Sequence, residues 1–298
     1  MKQTIASLAR RLKWPLRRVS AALGWHARPA FLMIGEQKSG TSALHEFLMR
    51  HPMLAASQQK ETYFFSPEAM RDWTGRHVTE HYRRLEAQHG ELGPGRSMLA
   101  WYHAHFSLPR PGRTRLAFES TPDYFFQAAS PARVARYRPD MKLIVLLRNP
   151  IERAYSAWNM FRGTTDGEFL PWRETRSFED AVRDELERLE ARPDEYGTDY
   201  VRRGFYAESL RRWLSHFPRE QVLVLESDEL RDDQAQTLKT VCDFLGIAPL
   251  DCGAVLPPVN VGQYVCAIDP AIRATLADVY ASKNREVFEL LGRTFNWQ

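Results

Sequence analysis

Cysteine is scarce in this chain, which has only Cys242, Cys252 and Cys266 among its 298 residues. None of the three belongs to a C-x-x-C pair, so the sequence has no zinc or redox motif of that type. Residues 77–81 have the H-x-x-E-H spacing of one metalloprotease group, but their neighbours are polar and no third ligand is evident. We therefore predict no metal site.

Long apolar runs are also absent. No segment is long enough to span a bilayer as a helix or to form a typical secretory signal. The chain is 44% hydrophobic and 26% charged, which is typical of a single large buried core. We expect a helical excursion from that core between residues 66 and 115, where Gly, Pro, His and Arg are frequent.

Acidic residues are missing from the first 30 positions, which contain seven basic residues: Lys2, Arg10, Arg11, Lys13, Arg17, Arg18 and Arg28. The remaining residues carry 34 basic and 37 acidic side chains, so the net charge of +4 comes from this leader and not from a groove for nucleic acid. Apolar side chains recur in the leader with helical spacing, at Ile5, Leu8, Leu12, Leu16, Val19 and Leu23. We predict that residues 1–30 form a basic amphipathic segment, and that residues 1–28 hold a cytoplasmic protein on an anionic membrane surface. A cationic organelle-targeting peptide and a disordered tail are the alternatives.

The segment 31–44 joins an apolar strand to a loop rich in Gly, Ser and Thr that opens an amphipathic helix. Such a helix start presents unpaired backbone N–H groups and the positive end of the helix dipole, so the loop from Gly35 to Ser42 is suited to bind a phosphate group. A Walker A loop has its lysine directly after the second glycine, whereas Lys38 precedes Gly40 by two residues. The loop therefore resembles a P-loop but departs from it where nucleoside-triphosphate chemistry needs the lysine. A plain strand–turn–helix connection is the alternative.

A second strand is predicted at 141–147, a short apolar run that ends at Arg148 and precedes a helical stretch over 151–161. A fully apolar run is typical of a central strand in a parallel sheet, and ligands bind at the carboxyl ends of such strands. Arg148 offers a planar charged fork for a phosphate group there, and Ser156 follows two helical turns later. An arginine that only caps the strand end is the alternative. A Walker B strand would end in an acidic magnesium ligand, and this one does not.

The rest of the chain supplies a framework. Apolar spacing predicts helices over 178–189, 206–217, 235–245 and 271–291, and a strand over 222–226. The alternation of strands and helices predicts an α/β, P-loop-like three-layer fold with a central parallel β-sheet flanked by helices.

Four ordered motifs carry a resemblance to a known family: residues 34–41 (IGEQKSGT), 60–65 (KETYFF), 119–125 (ESTPDYF) and 147–156 (LRNPIERAYS). Together they resemble the sulfotransferases that use 3′-phosphoadenosine 5′-phosphosulfate (PAPS), in particular the branch with the heparan sulfate N- and 3-O-sulfotransferases and their bacterial relatives. The resemblance implies a sulfotransferase domain over residues 31–298. It also implies transfer of the sulfuryl group from PAPS, without a metal, to a hydroxyl of a saccharide or glycolipid acceptor.

The resemblance assigns roles to individual residues. Lys38 would contact the oxygen that bridges the 5′-phosphate and the sulfate, while Arg148 and Ser156 would bind the 3′-phosphate. The loop backbone would hold the 5′-phosphate through Ser39, Gly40, Thr41 and Ser42.

Glu61 is the expected general base, because the catalytic glutamate of the family precedes a Phe-Phe pair by the same spacing. An ion pair with Lys60 or a structural cap is the alternative.

Ser120 stands where the heparan sulfate branch commonly has lysine, so we expect an acceptor less anionic than heparan sulfate. Gln263 and Tyr264 are expected to contact PAPS, because their loop falls where relatives have a basic cofactor-covering loop.

Two other functional classes stay open. A P-loop small-molecule kinase is disfavoured by the lysine offset and by the missing acidic magnesium ligand. A non-catalytic nucleotide-binding membrane protein is the other alternative, and the serine at position 120 keeps it open.

Overall fold

The computed structural model describes residues 15–66, 96–108, 115–163, 173–191, 199–249, 264 and 266–297. Within these ranges one sheet contains β1 (Pro29–Gly35), β2 (Leu54–Ala56), β3 (Leu116–Ser120), β4 (Lys142–Leu147) and β5 (Val222–Glu226). All pairings are parallel, and the strand order is β2-β3-β1-β4-β5. This arrangement confirms the predicted parallel α/β sheet.

Helices connect and cover the strands. They are α1 (Thr41–Arg50), α2 (Arg96–Ala104), α3 (Ser130–Tyr137), α4 (Pro150–Arg162), α5 (Phe178–Ala191), α6 (Tyr206–Leu214), α7 (Ser227–Asp232), α8 (Gln234–Leu245) and α9 (Pro270–Leu291). Short 3-10 helices lie at Pro122–Phe125, Arg202–Gly204 and Arg219–Gln221, and residues 15–22 are also helical. The framework helices and the strand at 222–226 are confirmed with small shifts of their ends, and α2 lies in the predicted helical excursion.

Alternation along the central strands builds a core on each face of the sheet. On β1, Leu32 packs into one buried cluster, whereas Phe31 and Met33 pack into the other. Neighbouring β4 contributes Leu143 to the first cluster and Ile144 to the second. Because both faces are filled with apolar side chains, polar chemistry is confined to the strand ends.

The carboxyl end of β1 is tightly packed. A Cβ atom on Gly35 would collide with the side chain of Phe125, so only glycine fits at this point. Two backbone hydrogen bonds join β1 and the residue after it to the neighbouring strands. Glu36 N donates to Leu146 O of β4 at 2.8 Å, and Thr121 N, directly after β3, donates to Met33 O of β1 at 3.1 Å. The segments that follow β1, β3 and β4 therefore meet at one edge of the sheet.

Candidate active site

The loop after β1 presents donors that have no partner among the described residues. Gly40 has a φ of 92° and begins α1 without a side-chain cap, so the first N–H groups of the helix are left for a ligand. Ser39 is fully buried, and its Oγ has no hydrogen-bond partner among the described residues. An orphaned hydroxyl beside an uncapped helix start fits an anionic group such as a phosphate. Thr41 and Ser42 form the first turn of this helix.

Lys38, in the same loop, also has a left-handed backbone, with a φ of 69°. It is half-buried, which does not fit a fully solvated loop lysine. Burial lowers the pKa of Lys38, and the charges of Arg148 and Arg153 lower it further, while Tyr264 and Glu61 act in the opposite sense. The positive charges of Lys38, Arg148 and Arg153 thus lie close together at the loop. A bound anion would reduce the repulsion between them.

Arg148 ends β4 and reaches the same loop. Its Nη1 donates to the Lys38 carbonyl at 3.2 Å, and its own carbonyl accepts from the Tyr206 hydroxyl at 2.8 Å. The bond to the Lys38 carbonyl is the kind of capping contact that the sequence left open as an alternative role for Arg148. The same bond fixes the guanidinium beside the phosphate loop. Two turns into α4, Ser156 is buried.

Tyr264 completes this cluster from the late part of the chain. Burial raises the pKa of Tyr264, but its hydrogen bonds with Ser156 and Arg148 and the charges of Arg148 and Lys38 together lower it. Its ring stacks on Tyr155, with the centroids 5.4 Å apart. The structure thus brings Lys38, Arg148, Ser156 and Tyr264 together.

Glu61 lies after β2 in a left-handed conformation, with a φ of 63°. Its N–H donates to Ser120 O at 2.9 Å, so the end of β3 fixes its backbone. The carboxylate pairs with Lys60 and accepts from the Tyr63 hydroxyl at 2.9 Å, yet 33% of its side chain stays exposed. The Lys60 pair considered from sequence is therefore present, and it leaves the carboxylate accessible.

A second carboxylate holds the Glu61 segment in place. Glu119 is completely buried and accepts from Thr62 at 2.7 Å, Tyr102 at 2.7 Å, Thr121 at 2.5 Å and Tyr124 at 2.9 Å. A carboxylate satisfied by this many hydroxyl groups is a rigid structural centre. It ties the residue after Glu61 to β3 and α2.

A buried ion-pair network holds the start of the phosphate loop. Arg203 Nε donates to Glu36 Oε1 at 2.9 Å, and Arg203 Nη1 donates to Asp123 Oδ1 at 2.8 Å. Glu36 is fully buried, and burial raises its pKa although Arg203 and Arg153 act in the opposite sense. The same Glu36 oxygen accepts from Gln37 N at 2.7 Å, so the network reaches the loop backbone.

His45 on α1 faces the Glu61 side of the site. Its Nδ1 lies 2.8 Å from Ser120 Oγ, and both side chains are buried. Burial and the Lys60 charge lower the pKa of His45 to about 4, so its ring is neutral at pH 7. The position where the heparan sulfate branch commonly has lysine is thus occupied here by an uncharged Ser120–His45 pair.

Comparison with known proteins identifies the family. Residues 28–252 match the family model described as the sulfotransferase domain. This chain belongs to the sulfotransferase family. It is 30% identical over 223 residues to human bifunctional heparan sulfate N-deacetylase/N-sulfotransferase 3, covering 74% of this chain and 22% of that protein. It is 31% identical over 237 residues to mouse heparan sulfate glucosamine 3-O-sulfotransferase 6, covering 80% of this chain and 58% of that protein.

The fold agrees with a solved member of the family. The sulfotransferase from Alicyclobacillus acidocaldarius is 28% identical, with a TM-score of 0.64, and the match covers 90% of this chain and 98% of that one. The chain spans only 22% and 58% of the two curated relatives described above. The family model and this solved structure therefore agree on the sulfotransferase family.

Not every predicted site residue of this sulfotransferase is described. Gln263 lies outside the described residues, as does the H-x-x-E-H pattern at 77–81. In the part of the chain that is described, no group of three or more His, Cys, Asp or Glu side chains is arranged to hold a metal ion. Across the same residues no helix is long and apolar enough to cross a membrane.

Sequence reasoning missed the groups that support the sulfotransferase site. Arg203 precedes a stretch with the apolar spacing of a core helix, and its partner Glu36 is 167 positions away. Asp123 and Glu119 stand inside the third motif, so their place in the sequence was a usable signal. No local pattern pointed to His45.

Proposed function

We propose that this sulfotransferase moves the sulfuryl group of PAPS to a hydroxyl of a carbohydrate or glycolipid acceptor, and that it works without a metal. The observation that carries the proposal is the convergence of Lys38, Arg148, Ser156 and Tyr264 on a loop whose Ser39 hydroxyl is buried without a partner. In this proposal the buried Ser39 hydroxyl at the start of α1 and the cluster of Arg148, Ser156 and Tyr264 serve as two phosphate-binding groups for a nucleotide with phosphates at its 3′ and 5′ positions.

Each group has a defined task in this proposal. The N–H groups at the start of α1 and the Ser39 hydroxyl hold the 5′-phosphate of the bound donor. Arg148 and Ser156 hold the 3′-phosphate, and Tyr264 closes over them through its hydrogen bonds to both side chains. Lys38 neutralises the charge that develops on the departing 5′-phosphate oxygen.

The acceptor enters on the side of Glu61. The acceptor hydroxyl oxygen forms a bond to sulfur as the bond from sulfur to the 5′-phosphate oxygen breaks, and the hydroxyl proton passes to the Glu61 carboxylate. Burial and the Glu61 charge raise the pKa of Tyr63, so its hydroxyl stays protonated and orients that carboxylate as a donor. The neutral Ser120–His45 pair supports an acceptor less anionic than heparan sulfate, because neither side chain of the pair offers a positive charge to an acidic sugar.

Ligand binding and turnover test the proposal together. Calorimetric titration should give tighter binding of 3′-phosphoadenosine 5′-phosphate than of AMP, which lacks the 3′-phosphate, and the preference should disappear in Arg148→Ala. Lys38→Ala should lower turnover, because the charge on the departing oxygen is no longer neutralised. The matched control Lys239→Ala removes an exposed lysine paired with Asp243 and should turn over as wild type. Labelled sulfate from PAPS should appear on glycans or glycolipids in the presence of EDTA. Turnover that requires magnesium, or transfer of phosphate from ATP, would support a kinase instead.

We also propose that residues 1–28 hold this protein on the cytoplasmic face of a membrane. The proposal is supported by seven basic and no acidic residues in the first 30 positions. A form that lacks residues 1–28 and still sediments with anionic vesicles would contradict it.

A further inference from the structure

The helical segment 15–22 exposes its apolar side to solvent. Leu16, Val19 and Leu23 are 70%, 58% and 81% exposed, and Trp25 is 58% exposed. The spacing of three and four residues places the first three on one side of a helix. A cluster of large apolar side chains that the described residues leave exposed marks an interaction surface.

The opposite side of the segment is fixed to the domain. Ala21 is only 6% exposed. When the side-chain amide of Gln58 is oriented with its oxygen toward Arg17, that oxygen accepts a hydrogen bond from Arg17 Nη2 at 3.0 Å. The His26 ring stacks on His103, with the centroids 3.8 Å apart. The apolar side therefore has a set direction relative to the catalytic domain.

Charge decides which occupant fits this surface. Arg18 and Arg28 are exposed, and no acidic residue occurs in the first 30 positions. A second copy of the same surface would bring like charges together, whereas an anionic bilayer complements them. Basic side chains near an anionic leaflet strengthen membrane binding, in addition to burial of the apolar side chains.

The side of the segment that contacts the domain lies close to Glu61, the proposed base. Gln58, which contacts Arg17, precedes Glu61 by three residues, so their Cα atoms are at most about 11 Å apart. Gln58 N donates to His105 O at 2.8 Å, and the charge of Arg17 contributes to the lowered pKa of His105. The leader thus borders the side of the site that carries Glu61.

We propose that the face formed by Leu16, Val19, Leu23 and Trp25 docks on an anionic bilayer, and that the acceptor is a saccharide carried on a lipid of that bilayer. The acceptor class rests on the proposed sulfotransferase function: the docked segment contacts Gln58 on its other side, so the Gln58–Glu61 stretch lies within roughly 10 Å, one helix diameter, of the bilayer surface. A freely soluble glycan gains nothing from this placement.

Vesicle sedimentation of the full chain tests the docking. Wild-type protein should sediment with phosphatidylglycerol/phosphatidylcholine vesicles and much less with phosphatidylcholine alone. Leu16→Glu/Leu23→Glu should reduce the bound fraction at least about 10-fold, because two inserted apolar side chains become charged. Met49→Glu/Met53→Glu, at methionines that are 44% and 39% exposed in another region, is the control and should bind as wild type. Equal binding of both double variants, equal binding to neutral vesicles, or a wild-type dimer that only Leu16→Glu/Leu23→Glu dissociates would overturn the proposal.

Turnover with matched acceptors tests the acceptor class. Hexadecyl maltoside in anionic vesicles is compared with free maltose, and a set of ceramide-linked glycans is compared with the same free glycans. The lipid-linked form should be sulfated with a KM at least about 10-fold lower, and this advantage should vanish in Leu16→Glu/Leu23→Glu while activity on the free sugar stays unchanged. Equal KM values for both forms would overturn the lipid-borne acceptor. Absence of product from every acceptor would instead contradict the sulfotransferase function, and the sedimentation result would still decide the docking.

Discussion

Replacement of Arg203 by methionine isolates the buried network that holds the phosphate loop. Methionine keeps most of the side-chain length but removes the charge, so Glu36 and Asp123, which are 0% and 5% exposed, lose their guanidinium partner. Breaking a buried ion pair from one side typically costs about 3–5 kcal/mol, because the remaining charge stays desolvated. For a chain of this size we expect the melting temperature to fall by about 5–8 °C.

The dependence of this loss on pH distinguishes it from a simple packing defect. Burial already raises the pKa of Glu36, and removal of Arg203 raises it further. A carboxyl group whose pKa is higher in the folded state binds protons on folding, so its penalty is largest at high pH and shrinks as the pH falls. The difference between Arg203→Met and wild type should therefore be smaller at pH 5 than at pH 8.

Urea unfolding at both pH values measures this difference, and titration with 3′-phosphoadenosine 5′-phosphate reports the position of the loop. Arg211→Met is the matched control: its ion pair with Glu286 is 2.6 Å long and half-exposed, and such pairs contribute less than about 1 kcal/mol. Glu36→Gln/Arg203→Met should recover part of the stability, because one unpaired charge is removed. A loss in Arg203→Met no larger than in Arg211→Met, or one independent of pH, would refute this reasoning.

Further predictions concern the base, the nucleotide and a buried histidine. Glu61→Gln should lower kcat by about 10²–10⁴-fold while leaving the affinity for 3′-phosphoadenosine 5′-phosphate unchanged, and near-normal turnover would exclude Glu61 as the base. Arg148→Ala should reduce that affinity by about 10- to 150-fold but barely change the affinity for AMP, and an equal loss for both would exclude the 3′-phosphate role. Burial and the charges of His26 and Arg28 lower the pKa of His103 to about 3. The unfolded chain therefore binds a proton at His103 below pH 6.5 while the folded protein does not, so the free energy of unfolding falls as the pH decreases from 6.5 toward 3. In His103→Phe the slope of unfolding free energy against pH should decrease by about 1.4 kcal/mol per pH unit between pH 6 and pH 4, and an unchanged slope in urea titrations would contradict this.

Local patterns predicted the sheet and the phosphate loop well. The apolar run at 141–147 became β4, with only its first residue left out, and the Gly/Ser/Thr loop became the start of α1. Capping explains the sharp start of α4, where Asn149 accepts from Ile151 N at 3.0 Å and Pro150 occupies the first turn. Such signals lie within a few residues of the structure they specify, so they can be recognised in one sequence.

The supporting network could not be predicted in the same way. Arg203 lies 167 residues from Glu36 and 80 from Asp123, and its neighbours have the apolar spacing of an ordinary core helix. Nothing in the sequence near Arg203 indicates a buried acidic partner, because the pairing forms only where the 3-10 helix Arg202–Gly204 meets the loop after β1 and the 3-10 helix Pro122–Phe125. The His45–Ser120 contact, across 75 residues, is hidden for the same reason.

Surroundings, rather than residue type, decide which carboxylate can act as the base. Glu119 is completely buried, and hydroxyl donors occupy both of its oxygens. Glu36 is equally buried and is held by Arg203, so an acceptor hydroxyl cannot reach it. Glu61 alone among these three keeps a third of its side chain exposed, and its partners Lys60 and Tyr63 orient the carboxylate without covering it. The left-handed backbone at Glu61 is unfavourable for a residue with a side chain. The Glu119 network stabilises this conformation, so a buried carboxylate keeps the accessible one in position.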